Sequence, residues 1–221
     1  MNSNMLLLDS GGQYECGTTD VTRTFHFGHL APSSASSQQH STDYQTIRNC
    51  YTNVLRGHIA LTTLIFPTNT PGCAMDILAR QYLWADCRDY GHGTGHGVGA
   101  GLNVHEGPQG ISKKMGGGLN TEYIREGMIL SNEPGFYEDG RFGIRIENLL
   151  VVCKVENVRQ ERGSNSVDSF RFEPLTLIPI QTNLINMDLM APKELDWLDE
   201  YHATVWNKIS PLLQDDTDRL G

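Results

Sequence analysis

Met5-Leu-Leu-Leu-Asp9-Ser-Gly-Gly-Gln-Tyr-Glu-Cys-Gly-Thr-Thr-Asp20-Val-Thr-Arg-Thr24 is the stretch on which the fold reading turns. The apolar run Met5–Leu8 reads as a short strand that stops at Asp9, with Ser10-Gly11-Gly12 as the turn after it. A second strand runs from Asp20 to Phe27, in which Asp20, Thr22 and Thr24 alternate with Val21, Arg23 and Phe25. Eleven residues separate Asp9 from Asp20, so a short antiparallel return brings the two carboxylates together. Working outward, Thr42 or Asp43 caps a helix reaching about Phe66, with Ile47, Tyr51, Val54, Leu55 and Ile59 on one stripe. Pro67 to Gly72 breaks it, and a second helix spans Met75 to Ala85. Strands follow at Met128–Ser131, Phe142–Val155 and Phe170–Ile180, with a turn at Asp139-Gly140, and an amphipathic helix covers Pro192–Leu213. The Ser/Gln-rich stretch Ser33–Ser41 reads as an exposed loop and Val155–Asp168 as a polar connection. No repeat or linker divides the chain, which predicts one α+β domain built on antiparallel strands.

The composition narrows the function. Of 221 residues, 38% are hydrophobic and 23 are glycine, enough for a sizeable core. A net charge of −9 argues against a nucleic-acid groove or an anionic membrane surface, and favours a small or cationic partner, or carboxylates gathered for a metal. The longest apolar run near either end is Met5–Leu8, too short for a membrane span or a signal-peptide core, so the chain reads as soluble. Five cysteines without a C-x-x-C pair point to a reducing compartment. The absence of G-x-G-x-x-G, Walker A, G-x-S-x-G and H-E-x-x-H motifs removes the commonest dinucleotide, nucleotide, serine-hydrolase and thermolysin-like signatures.

What remains is a set of acids and histidines at strand ends. From Gly91 to Gly101 every odd position is glycine, a pattern that lets the backbone approach something closely, and His92 and His96 lie within it. Glu133 sits just before Pro134, and Glu147 follows Gly143-Ile-Arg-Ile, where a period of two puts Arg145 and Glu147 on one face and Ile144 and Ile146 on the core side. Singly, each has a bland explanation: a strand-end Asp caps a turn, a glycine-flanked His sits on the surface, a strand Glu faces water. Together Asp9, Asp20, His96, Glu133 and Glu147 form a coherent ligand set. Four carboxylates balance two divalent cations, and oxygen-rich ligation with one imidazole suits Mn²⁺ or a similar first-row metal better than Ca²⁺ or structural zinc.

Four motifs in order then resemble a known family. Asp9-Ser-Gly-Gly-Gln-Tyr with Gly17-Thr-Thr-Asp20-Val-Thr-Arg-Thr24 is similar to the first metal motif of aminopeptidase P, the Xaa-Pro aminopeptidases. His92-Gly-Thr-Gly-His96-Gly-Val-Gly99 with Asn103-Val-His105-Glu-Gly-Pro108 resembles its histidine motif, and Asn132-Glu133-Pro-Gly-Phe-Tyr137 and Ile144-Arg-Ile-Glu147-Asn148 complete the set. The tail Phe172-Glu-Pro-Leu-Thr-Leu-Ile-Pro-Ile180 resembles the longer cytosolic eukaryotic members. The resemblance implies the pita-bread fold and a cytoplasmic hydrolase with two divalent metals, usually Mn²⁺. On that pattern Asp9 holds one metal, His96 and Glu133 the other, and Asp20 and Glu147 bridge them. A hydroxide between the metals, about 3.5–4 Å apart, is the nucleophile. Glu133 steers its proton as general base. His92 and His105 bind substrate and assist the tetrahedral intermediate, and Arg145 orients a ligand carboxylate such as Asp9. The implied substrate is a peptide with proline second, cleaved before that proline, and a homodimer is implied with Trp84 as candidate anchor.

Two departures stand out. Cys16 occupies a position where relatives usually carry Asp, with little expected effect because it is not a ligand. A substantial upstream portion of the family's catalytic domain, including a further substrate-contacting histidine, has no counterpart here. The reading is therefore a truncated catalytic domain over 1–221, with the sheet and metal site in about 1–180 and a helical tail in 181–221. It predicts an apolar patch beside Met5–Leu8 and slower hydrolysis than a full-length relative. Prolidase and methionine aminopeptidase use the same ligand types, though the paired histidine segments fit aminopeptidase P better. A metal-free binding module or a non-functional fragment are the non-catalytic alternatives.

Overall fold

A computed structural model describes residues 5–27, 38–114, 120–156 and 167–213. β1 (Met5–Tyr14) does not stop at Asp9; it continues through the glycines and turns at Glu15-Cys16 into β2 (Gly17–His26). The ladder is unbroken from Met5 opposite His26 to Tyr14 opposite Gly17, so the glycines spend their backbone groups on pairing instead of on a turn. This register sets Asp9 opposite Thr22 and Gly11 opposite Asp20, which puts Asp9, Thr22 and Asp20 on one face.

α1 (Gln38–Thr62) begins ahead of Thr42 and Asp43, which therefore lie inside it and do not cap it; residues 33–37 of the expected Ser/Gln loop lie outside the described residues. The helix ends earlier than its apolar pattern predicts. Phe66 belongs instead to β3 (Ile65–Pro67), opposite Phe170, with its ring against Phe170 and Phe172. A short 3₁₀ turn at Gly72–Ala74 leads into α2 (Asp76–Ala85). The two-residue strands β4 (Gly95–His96) and β5 (Gly110–Ile111) pair with each other, and β6 (Ile129–Asn132) follows. β7 (Gly135–Glu138) and β8 (Phe142–Arg145) form the hairpin expected at Asp139-Gly140, with Gly140 at φ 70°.

The strand expected over Phe142–Val155 is broken at Ile146-Glu147. β9 (Asn148–Lys154) leaves the hairpin and pairs with β6 on one side and β10 (Ser169–Pro174) on the other, giving a sheet of order β3-β10-β9-β6. At the break the Glu147 N–H donates to the Thr22 carbonyl at 3.1 Å, so the chain crosses from the hairpin to the sheet exactly where it touches β2. β10 ends at Pro174, short of Ile180, because prolines at 174 and 179 have no N–H for a ladder. Residues 157–166 of the expected polar connection lie outside the described residues.

α1 packs on β6, β7, β8 and β10, and α3 (Pro192–Leu213) packs on α1. One core gathers Tyr51, Val54, Leu55 and Ile59 of α1 with Ile144, Ile146, Leu198 and Val205. A second, under the four-stranded sheet, holds Leu61, Phe66, Leu130, Leu150 and Phe172. Full burial of each such side chain contributes about 1.5–3 kcal/mol. Leu6 and Leu8 on β1 are 43% and 51% exposed and Phe27 is 58% exposed, an apolar surface beside that strand.

Candidate metal centre

Strand alternation and the hairpin register carry three of the five candidate ligands. Asp9 and Asp20 project from the shared face of β1 and β2, and Glu147 joins them across the contact of β2 with the start of β9, its Oε2 accepting from Thr22 Oγ1 at 2.6 Å. Ligand oxygens of Asp9, Asp20 and Glu147 all lie within 4.8 Å of one another. His96 arrives on β4, whose approach to β6 is so close that a Cβ on Gly95 would sit 2.0 Å from the Ser131 carbonyl oxygen. The His96 amide donates to Ser131 Oγ at 2.9 Å, and that hydroxyl donates to Glu133 Oε1 at 3.2 Å. Atoms of His96, Glu133 and Glu147 form a second group within the same 4.8 Å, so Glu147 belongs to both. His105 forms a further group with Asp20 and His96, its ring centroid 4.2 Å from that of His96.

Charge crowding falls on Glu147. Burial, then the nearby Glu133 and Asp20 carboxylates, hold its carboxyl well above the usual range, against the pull of the Thr22 hydroxyl. His96 is buried, which opposes its charge, yet hydrogen bonds to Asp20 (3.4 Å) and Glu133 (3.2 Å) push it up to about 10. Its Nδ1 meets the Gly97 carbonyl at 3.0 Å, so a Nδ1–H donor there leaves the Nε2 lone pair facing the carboxylates once that proton leaves. Four acids and one imidazole with this orientation fit two divalent cations, whose charge would offset the crowding that falls on Glu147.

Around the ligand candidates, Arg145 donates to Asp9 Oδ2 at 2.5 Å, to Thr22 Oγ1 at 3.0 Å and to the Tyr137 hydroxyl at 2.8 Å. Tyr137 also meets His92 Nε2 at 2.9 Å, so a continuous chain joins His92 to Asp9. A cavity of about 360 Å³ opens beside His96 and Glu133, walled by His92, His105, Ser112 and Asn120. Its carboxylate and imidazole groups converge on one small space, which suits hydrolysis at a polarised carbonyl.

The model of metallopeptidase family M24 matches residues 2–154, more than half of the chain, and that of the C-terminal region of peptidase M24 matches 168–220. The chain belongs to metallopeptidase family M24. This M24 chain is 50% identical over 213 residues to aminopeptidase P2 of Arabidopsis thaliana, covering 96% of itself and 27% of that protein. It is 47% identical to a probable Xaa-Pro aminopeptidase P of Laccaria bicolor, covering 97% of itself and 30% of that protein. Among solved structures it superposes on an X-prolyl aminopeptidase from Caenorhabditis elegans, a cytosolic enzyme with a di-nuclear active site, with a TM-score of 0.80 at 38% identity, covering 96% of this chain and 31% of that one. The fold is thus the α+β pita-bread architecture that the motifs imply, and the chain spans under a third of the length of these relatives. Among the described residues no helix is long and apolar enough to cross a membrane.

In the M24 chain several residues outside the candidate set support it. Tyr137, Thr22 and Ser131 each hold a candidate ligand or histidine, and Thr22 carried a signal in sharing the Asp9–Asp20 face. Arg23 carried another, as a charge among Val21 and Phe25. Buried, it donates to the carbonyls of Glu147, Ile178 and Pro179 and to Asn148 Oδ1, tying the segment after β10 to Glu147 and to the start of β9 that follows it. Cys16 lies in the hairpin turn and is exposed.

Proposed function

We propose that this chain carries the catalytic centre of an Xaa-Pro aminopeptidase, which removes the N-terminal residue from peptides with proline in the second position. The observation that supports this reading is the pair of donor groups that share Glu147: Asp9 and Asp20 on one side, His96 and Glu133 on the other. Asp9 would hold one cation and His96 with Glu133 the second, with Asp20 and Glu147 between them; Mn²⁺ is the metal we assign. Two bound cations supply Lewis acidity toward the scissile carbonyl and lower the pKa of water. Glu133 takes the proton of the attacking water, and its carboxylate is held for that by the Ser131 hydroxyl. His92 and His105 stand on the cavity wall, where they donate to the carbonyl oxygen as charge develops on it. We assign the protein to the cytosol, and propose a homodimer in which Trp84, 41% exposed on α2, is an anchor; sedimentation giving a strict monomer would remove that role.

The test is metal-stripped protein reloaded with Mn²⁺ and offered Xaa-Pro-Yaa tripeptides beside Xaa-Pro dipeptides. Metal-dependent release of the first residue from tripeptides is the expected result. Cleavage of dipeptides alone would make the chain a prolidase-like enzyme, and retention of two metals without any turnover would make it a binding module.

A further inference from the structure

We propose that Arg80, on α2 and outside the set of candidate ligands, is a positioning residue that sets the place of His92 by gripping the backbone of the glycine segment. Its side chain is 1% exposed and its guanidinium lies 3.7 Å over the Tyr90 ring. Nε and Nη2 donate to Asp76 at 2.6 and 3.3 Å, and Nη1 donates to Asp89 Oδ1 at 2.7 Å. The remaining donors go to main chain: Nη1 to the Tyr90 carbonyl and Nη2 to the His92 carbonyl, both at 2.8 Å. Thr94 is tied to the same cluster, its hydroxyl donating to Asp76 Oδ1 at 2.6 Å and meeting the Tyr90 hydroxyl at 2.5 Å. Each side-chain-bearing residue of Tyr90-Gly-His92-Gly-Thr94 is therefore anchored to α2, while the glycines between them bring no side chain with which to hold a conformation.

A guanidinium buried this completely is costly to desolvate, and an apolar side chain would pack α2 against the segment without that cost. What an apolar or an ammonium group cannot do is fix two carbonyls and two carboxylates in one plane; the fork of Arg does. The grip ends at the residue whose ring enters the cavity beside Glu133 and His96. His96 has its own anchor in Ser131 and in the pairing of β4 with β5, so the ligand site does not depend on Arg80.

The catalytic arm of the test rests on the Xaa-Pro reading; a second arm does not. In the Mn²⁺-loaded chain, Arg80→Lys keeps the charge beside Asp76 but loses the fork, and is expected to lower kcat/KM about 10- to 100-fold with metal content unchanged. In a His92→Ala background the same substitution should cost less than about twofold, because the residue it acts through is gone. Equal losses in both backgrounds, or wild-type activity in Arg80→Lys, would overturn the proposal. If Arg80→Lys does not fold, Asp89→Asn loosens the hold on Nη1 from the partly exposed side, and should give a smaller loss that also vanishes with His92→Ala. In the second arm, amide exchange at Thr94, bonded to the Ile111 carbonyl, should accelerate about tenfold in either variant while exchange at His96 does not. Should the wild-type chain cleave no Xaa-Pro peptide, the functional reading fails, and exchange alone decides the role of Arg80: unchanged exchange at Thr94 refutes it.

Discussion

At Glu147 and His96 the charge problem of the site becomes measurable. His96, raised to about 10 from an ordinary 6.5, stays protonated at neutral pH in the metal-free protein. Its ion pairs therefore stabilise that fold fully below pH 6.5, and the contribution is lost as pH climbs through about 10. On the ligand set proposed above, a bound cation would need the neutral ring and an ionised Glu147, so protons and metal would compete, and affinity should fall as pH drops. Calorimetric titration with Mn²⁺ near pH 7 in buffers of different ionisation enthalpy should show release of about one to two protons per chain; no release would remove His96 from the ligand set. Arg145 acts on the other half of the site. Arg145→Lys cannot reach Asp9, Thr22 and Tyr137 together, and should weaken metal binding about 10- to 100-fold, read by equilibrium dialysis, with the melting temperature of the metal-free chain little changed.

At the scale of elements, the short strand β4 has the least tolerance. Its side chain His96 reaches the other candidate ligands because Gly95 lets β4 lie directly on the Ser131 carbonyl. Gly95→Ala puts a methyl 2.0 Å from that backbone oxygen, which has no flexible end to give way. The strand must move out, at a cost of about 1–3 kcal/mol, and the His96 amide loses Ser131 Oγ. Denaturant unfolding and Mn²⁺ affinity should both deteriorate in this variant. A variant with unchanged metal affinity would show that His96 is carried by β5 and not by contact with β6. The alternation of Arg145 and Glu147 against buried Ile144 and Ile146 was legible in sequence because period two is a local property. The interruption between β8 and β9 was not, since the residues that end one ladder and begin the next come from β2 and β6.

Across the whole molecule, the buried His58 ties α1 to the end of β6, its Nδ1 at 3.1 Å from the Asn132 carbonyl. Burial first, and then the Arg23 charge, push it down to about 3. The unfolded chain takes up a proton near 6.5, so stability is full above that pH and declines as pH falls from 6.5 toward 3. The slope attributable to this residue is about 1.4 kcal/mol per pH unit. Subtracting the stability profile of His58→Gln from that of the parent, both metal-free, should expose the slope. Parallel profiles would mean that the ring reaches solvent. Mn²⁺ at neutral pH should raise the melting temperature of the parent, as any ligand of the folded state alone must.

By itself the sequence determined the elements with a strong local period: the stripe of α1, the helix Pro192–Leu213, the Asp139-Gly140 turn, and the order of acids and histidines along the chain. Only the tertiary structure decided that β1 runs on past Asp9 to a turn at Glu15-Cys16, that Phe66 leaves α1 for β3, and that Glu147 sits between two donor groups. The physical reason is the same in each case. Where a strand ends, and which rung faces which, depends on backbone partners dozens of residues away, whereas a helix stripe or a tight turn is settled within a few residues of its own chain.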